Sequence, residues 1–225
     1  MCVQRAIYRV QRGDYEVVAI PVLQDNFVYV VRRGANAVTI DAGAFTPLAA
    51  YLRAHALCLR AAFLTHGHAD HAAGFAQLQQ WVRPDVDQLP GPIERIELPG
   101  HTDNDVGFYF PAAGVVFTGD CLIHGACGRV LGGSVEALYQ SLLRIKALPS
   151  ETLVLGGHDY LLENLRFGIE QEPDNEAIRA RQDLYHREPA SALFVSLAEE
   201  IASNPFLRAP DLAAFAALRQ AKDQF

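Results

Sequence analysis

Hydrophobic positions cluster in short runs before about residue 160 and recur at helical spacing after it. The apolar run Tyr15 to Ile20 ends at Pro21. Phe27 to Val31 follows the turn-forming pair Asp25-Asn26. Ala37 to Ile40 follows a turn at Gly34–Asn36 and ends at Asp41-Ala42-Gly43. Runs of this length bounded by Gly, Pro, Asn and Asp predict strands, because those residues supply the backbone conformations that stop one. Further strands are predicted over 61–64, 93–98, 108–110, 115–117 and 153–155. Helical spacing predicts helices over 47–56, 71–80 and 135–147, the last with Ser134 as its N-cap. Beyond Tyr160 the pattern predicts helices over 161–170, 176–185, 196–202 and 211–220. Ser196-Leu197-Ala198-Glu199 has the form of a capping box. Asn204-Pro205 stops that helix, since the residue before proline is pushed out of the α region. The chain therefore reads as a mixed α/β body over 1–160 and an all-helical tail over 161–225. Many strands with few crossover helices predict packed sheets flanked by helices rather than one doubly wound sheet.

Composition narrows the classes. The 225 residues are half hydrophobic and one-fifth charged, ordinary for a globular chain able to bury its own core, and this excludes disorder and fibrous repeats. No apolar run approaches the roughly 18 residues that cross a bilayer. Charges interrupt the first apolar stretches, so no secretory signal is expected. The net charge of −7 disfavours a nucleic-acid partner. Cys2, Cys58, Cys121 and Cys127 form no CxxC pair and read as reduced thiols of a cytoplasmic protein. A monomer with no membrane or nucleic-acid partner is expected.

The chemistry concentrates in Thr65-His66-Gly67-His68-Ala69-Asp70-His71. Three histidines and an aspartate within six residues offer the imidazole and carboxylate ligands that zinc and its borderline neighbours take. At the end of an extended strand, His66 and His68 point to one side. Asp70 and His71 fall where the chain turns into a helix. Four ligands in two pairs suit two metals, and more donors stand at predicted strand ends: His101 after Pro99-Gly100, Asp120 after Thr118-Gly119, and His158 after Gly156-Gly157. A carboxylate placed between two metals can bridge them through its two oxygens.

These residues resemble the metallo-β-lactamase superfamily and, within it, the glyoxalase II or hydroxyacylglutathione hydrolase family. The T-H-x-H-x-D-H motif stands at Thr65–His71, and the later ligands match Pro99–Thr102, Thr118–Asp120 and Gly157-His158. The likeness extends to Pro21–Phe27, to the glycine-rich Gly125–Arg129, to Gly157–Tyr160, Asn164–Phe167 and Glu172–Asn175, and to Leu197–Glu200 and Asn204–Arg208. The resemblance implies an αβ/βα sandwich as the catalytic domain over 1–160 and a C-terminal helical substrate-binding domain over 161–225. It implies that His66, His68 and His101 hold one metal, that Asp70, His71 and His158 hold a second, and that Asp120 bridges; Asp70 and Asp120 are thereby catalytic as well as ligating. The two divalent ions would be zinc, with iron or manganese as alternatives. The implied substrate is a glutathione thioester, S-D-lactoylglutathione, cleaved by metal-bound hydroxide to D-lactate and glutathione. Arg129, Tyr160 and Arg208 would bind it. The rival readings are a mononuclear-iron persulfide dioxygenase and a hydrolase of another thioester.

Some positions stay open or depart from the family pattern. Asp41 reads equally as a surface turn residue or, by the resemblance, as a carboxylate that orients a ligand histidine. His55, His124 and His186 match no ligand position and read as surface or packing residues. Cys121 and Cys127 read as small apolar packing groups. Leu131 stands where the family carries an aromatic hydroxyl, Ala209-Pro210-Asp211 replaces the lysine that some relatives carry just after Arg208, and the segment between His71 and His101 is short, which predicts an open rim beside the metals.

Overall fold

The computed structural model describes residues 6–225; Cys2 lies outside them. The chain divides into two compact units. The first runs to Glu94 and takes in Phe110–Gly114; the second holds Arg95–Tyr109 and Val115–Phe225.

The first unit is built on a five-stranded sheet. In chain order its elements are β1 (Tyr8–Arg12), β2 (Tyr15–Val22), β3 (Asn26–Arg33), β4 (Asn36–Ile40), α1 (Phe45–Ala54), β5 (Cys58–Phe63), α2 (Ala69–Ala72) and α3 (Phe75–Gln79). The strands lie in the order β1-β2-β3-β4-β5, antiparallel except for the parallel β4–β5 pair that α1 connects. β2 and β3 are buried along nearly their whole length, which is why their sequences read as continuous apolar runs instead of alternating ones. Val18, Ile20, Val28 and Val30 pack with Leu48, Leu52 and Leu78 into one core. β1, which the apolar pattern does not predict, alternates half-buried and exposed along the edge of the sheet.

The helix predicted over 71–80 is two short helices. Gly74 separates them because its N–H leaves the helical ladder and donates to the Ala42 carbonyl at 2.7 Å, a close approach that any side chain would obstruct.

The second unit has a four-stranded sheet, order β11-β8-β7-β6, formed by β6 (Glu94–Glu97), β7 (Val106–Phe110), β8 (Val115–Gly119) and β11 (Leu153–Gly156). A two-residue hairpin, β9 (Leu122–Ile123) with β10 (Ala126–Cys127), follows β8. Helix α4 (Val135–Lys146) precedes β11 and buries Leu138, Ser141, Leu142 and Ile145, an i, i+3, i+4, i+7 face. Ser134 caps it by accepting from the Ala137 N–H.

The tail holds α5 (Leu161–Gln171), α6 (Glu176–Arg187), α7 (Pro189–Leu193), α8 (Leu197–Ser203), α9 (Pro205–Arg208) and α10 (Leu212–Gln224). Ser196 and Glu199 form the predicted capping box, and Asn204 ends α8 as Asn-Pro requires. A cap contributes about 1 kcal/mol. Burying Phe167, Phe206 and Phe215 contributes roughly 1.5–3 kcal/mol each, so packing, and not local signals, holds these short helices. Among the described residues no helix is long and apolar enough to cross a membrane.

Candidate metal centre

Each unit carries its own set of donor side chains. In the first, β5 ends at Phe63 and the motif forms a loop that runs into α2, so His66 and His68 stand in irregular backbone and not on a strand end as predicted. The side-by-side expectation holds nonetheless: His66 Nε2 and His68 Nδ1 are 3.1 Å apart. Asp41 organises the loop. Its carboxylate is buried and accepts from the Thr65 N–H at 2.8 Å, the Thr65 hydroxyl at 2.9 Å and His71 Nδ1 at 2.9 Å. Asp41 holds a positive φ of 61°, a conformation aspartate tolerates better than most residues. Of the two readings of this residue, a surface turn and an orienting carboxylate, the burial of Asp41 and its bond to His71 support the second.

These bonds set the ring nitrogens. The Thr65 hydroxyl has one hydrogen, which goes to Asp41; toward His66 Nδ1, 3.1 Å away, it can only accept. His66 therefore carries a proton on Nδ1, which in the neutral ring leaves Nε2 as the atom able to ligate. His71 gives its Nδ1 proton to Asp41 and presents Nε2, 3.6 Å from Asp70 Oδ2. Asn26 donates to the same Asp70 oxygen at 2.8 Å. Gly43 lies so close to the Asp70 carbonyl that a side chain there would collide with it.

The second unit repeats the logic. His101 follows Gly100, whose φ of 147° and contact with the α4 backbone at Leu138 leave no room for a side chain. Asp105 braces this turn by accepting from the Thr102 N–H at 2.6 Å, and burial pushes its carboxyl above the usual range. His101 Nδ1 lies 2.7 Å from the Arg129 carbonyl; a carbonyl only accepts, so this histidine also presents Nε2. Asp120 follows β8, and one of its oxygens, Oδ2, sits 3.6 Å from His101 Nε2 and 3.2 Å from His158 Nε2. His158 follows β11 and stacks on Tyr160 with ring centroids 4.7 Å apart.

His71 Nε2 faces the Asp70 carboxylate, and the Nε2 atoms of His101 and His158 face Asp120, the imidazole and carboxylate donors that divalent ions take. Both donor sets therefore fit a divalent ion by their chemistry.

Of the residues assigned to substrate, Arg129 is exposed and Tyr160 half-buried. Arg208 donates to the carbonyls of Ile201 and Ala202 and pairs with Glu172. His124 is buried in the second unit, a packing position as expected. Asn26 and Glu200 stand in stretches that the sequence singles out, but their partners, Asp70 and Arg181, lie 44 and 19 residues away and no local pattern shows them; Asp105, bonded to Thr102 three residues before it, belongs to no predicted motif.

Cys121 and Cys127, flanking this set, are buried in the core. Burial pushes the Cys127 thiol up to about 11, and the Cys121 thiol is also well above its usual value for the same reason. A thiol reagent at pH 8 is expected to leave both unlabelled in the folded protein and to label them after denaturation; mass spectrometry of the modified peptides checks this.

Two donor sets of this kind on mixed α/β sheets define the metallo-β-lactamase superfamily, whose family model matches residues 23–87 and 78–158. A second model, the C-terminus of hydroxyacylglutathione hydrolase, matches residues 159–225. The chain belongs to the hydroxyacylglutathione hydrolase family: it is 34% identical over 234 residues to the hydroxyacylglutathione hydrolase of Haemophilus ducreyi, covering 93% of this chain and 99% of that one. Among solved structures, ETHE1 from Myxococcus xanthus shares the fold, with TM-score 0.61, 22% identity and coverage of 97% and 92%. The protein TTHA1623, solved in a di-iron-bound form, is 31% identical with TM-score 0.52, covering 63% of this chain and 90% of that one.

Proposed function

We propose that the protein is a thiolester hydrolase that cleaves S-D-lactoylglutathione to D-lactate and glutathione with two divalent metal ions. The observation that carries the reading is that the Nδ1 atoms of His66, His71 and His101 each face a protein oxygen, which in the neutral rings leaves every Nε2 to ligate. Following the family, His66, His68 and His101 hold one ion, Asp70, His71 and His158 the other, and Asp120 serves both. The imidazole and carboxylate donors accept zinc, iron or manganese; zinc is the ion proposed. When bound, such ions supply Lewis acidity, lowering the pKa of water and polarising a carbonyl.

The chain's own part is orientation. Asp41 fixes His71 and, through Thr65, His66; Asn26 fixes Asp70; the Arg129 carbonyl fixes His101. Preorganised groups of this kind need no rearrangement as charge develops. A thiol of pKa about 8.5 departs as thiolate near neutral pH, so no general acid is required. Arg129, Tyr160 and Arg208 are the proposed anchors for the glutathione carboxylates, arginine being suited to them by its two-pronged donor geometry. Residues 161–225 are proposed as the substrate-binding part, in a monomer acting in the cytoplasm, where Cys58, Cys121 and Cys127 stay unpaired.

Purified protein is expected to hold two metals per chain by elemental analysis and to release free thiol from lactoylglutathione. Oxygen uptake with glutathione persulfide, without thioester cleavage, would replace this reading by the dioxygenase one. Firm binding of a single metal after reconstitution would sink the dinuclear assignment.

A further inference from the structure

We propose that Arg219, on α10, is a positioning residue for His101: by holding the peptide groups that precede Arg129, it keeps the Arg129 carbonyl on His101 Nδ1 and so keeps Nε2 directed at Asp120. The inference rests on the reading of His101 as a metal ligand.

Arg219 is 3% exposed. Its Nη1 donates to the Cys127 carbonyl at 2.8 Å and the Gly128 carbonyl at 3.3 Å. Its Nη2 donates to Asp223 at 2.9 Å, and its guanidinium carbon lies 5.4 Å from the centre of the Phe206 ring. Removing a guanidinium from water is costly, and an apolar side chain would often fill such a place with equal or better stability. The carboxylate beside it, on Asp223, is about half exposed. The most buried hydrogen bonds of Arg219 end on backbone 92 and 91 residues away, in the segment that leads to Arg129.

That segment has little freedom on its other side. The Gly128 N–H points to the Cys121 carbonyl, and a side chain at Gly128 would collide with the Asp120 carbonyl and lie 3.2 Å from His101 Nδ1. The peptides of residues 127–129 are thus gripped between α10 and the Asp120–His101 pair. Rotating the peptide after Gly128 or Arg129 would withdraw the acceptor from His101 Nδ1. The imidazole would then be free to turn or to change tautomer. Partners one step removed from a metal typically set ligand affinity by 10- to 100-fold.

The test compares zinc affinities, by competition with a chromophoric chelator, in the wild type and four variants. Arg219→Met keeps the apolar stem and removes the donors. Arg219→Lys restores a charge and a donor. Gly128→Ala displaces the same segment without touching Arg219. Asp211→Ala removes the α10 N-cap, which accepts from the Ala214 N–H, and weakens the helix without touching the segment. Arg219→Met is expected to weaken one of the two zinc sites about 10- to 100-fold and leave the other near wild type; Gly128→Ala, whose side chain also presses on the Asp120 backbone, is expected to weaken zinc binding at least as much. Arg219→Lys should recover part of that loss, and Asp211→Ala should leave both sites intact. Unchanged zinc binding in folded Arg219→Met, or equal weakening in Asp211→Ala, would overturn the proposal. Should Arg219→Met fail to fold, unchanged binding in Gly128→Ala overturns it instead. A wild type that never binds a second zinc would fail the dinuclear reading itself, a result visible before any variant is made.

Discussion

Replacing Asp120 with Ala is expected to lower kcat/KM on lactoylglutathione by about 10³-fold or more, since polarising and bridging contacts are worth several kcal/mol and each 1.36 kcal/mol is tenfold in rate. A single Asp120 oxygen lies within 3.6 Å of the Nε2 atoms of both His101 and His158. Removing it leaves two imidazole donors without the anion that faces them. Metal content should fall toward one ion per chain. The fold should survive, because β8 and β11 are held by their own ladder and by the Gly157 N–H on the Gly119 carbonyl at 2.8 Å. Asp120→Asn keeps the shape and removes the charge, so it should bind metal weakly and share most of the rate loss. The check is steady-state kinetics with elemental analysis on the same samples, beside a circular-dichroism melt. Near-normal turnover in Asp120→Ala would show that the carboxylate has no place in the chemistry.

The largest effect on stability is expected at Glu200, which lies far from any ligand in sequence. Its side chain is fully buried in α8 and accepts from Arg181 Nη1 at 2.6 Å, the Gly125 N–H at 2.7 Å and Asn204 Nδ2 at 2.9 Å. His124 Nδ1 lies 3.2 Å from Arg181 Nη2 and 3.4 Å from Glu200. The cluster ties α6 and α8 to the β9–β10 turn, where Gly125 has φ of 76°. Glu200→Gln leaves the Arg181 guanidinium buried without its counter-charge. Breaking one side of a buried pair costs about 3–5 kcal/mol. At roughly 2–4 °C per kcal/mol for a chain of this size, the melting temperature should drop by about 6–20 °C.

The same group gives a pH signature. Burial alone would push the Glu200 carboxyl up, but the Arg181 charge and the contacts of His124 and Asn204 together outweigh it and hold the group well below the usual carboxylate range. A carboxyl depressed in the folded state stabilises above its unfolded pKa, about 4.5, and loses that contribution as pH falls toward the folded value. The gap in melting temperature between wild type and Glu200→Gln should therefore be constant above about pH 5 and shrink steadily below 4.5. A gap that widens on acidification would mean that the pair does not hold the carboxylate ionised.

Much of this was legible in the residues themselves. The strands over 15–20, 27–31 and 37–40 follow from apolar runs closed by turn formers, and the observed elements are only one to three residues longer. The Ser134 cap and the Ser196–Glu199 box are contacts between near neighbours, so spacing alone reports them. Spacing misled where distant backbone intervened: Gly74 bonds to Ala42 and splits one predicted helix into two. Strand β1 escaped notice because an edge strand needs burial on one face only.

For the donor set the division follows the same physics. The sequence by itself determined which side chains can ligate, because Thr65–His71 places four donors within one short loop and the others beside glycines at strand ends. It also determined the helical tail, through periodicity and caps. Only the tertiary structure decided which nitrogen each histidine presents. That choice belongs to the acceptor on the opposite side of the ring, and the acceptor comes from elsewhere in the chain: Asp41 lies 30 residues from His71, and the Arg129 carbonyl 28 residues from His101. A hydrogen bond between such residues exists only once the backbone has brought them within about 3 Å, and no local pattern of side chains encodes that distance.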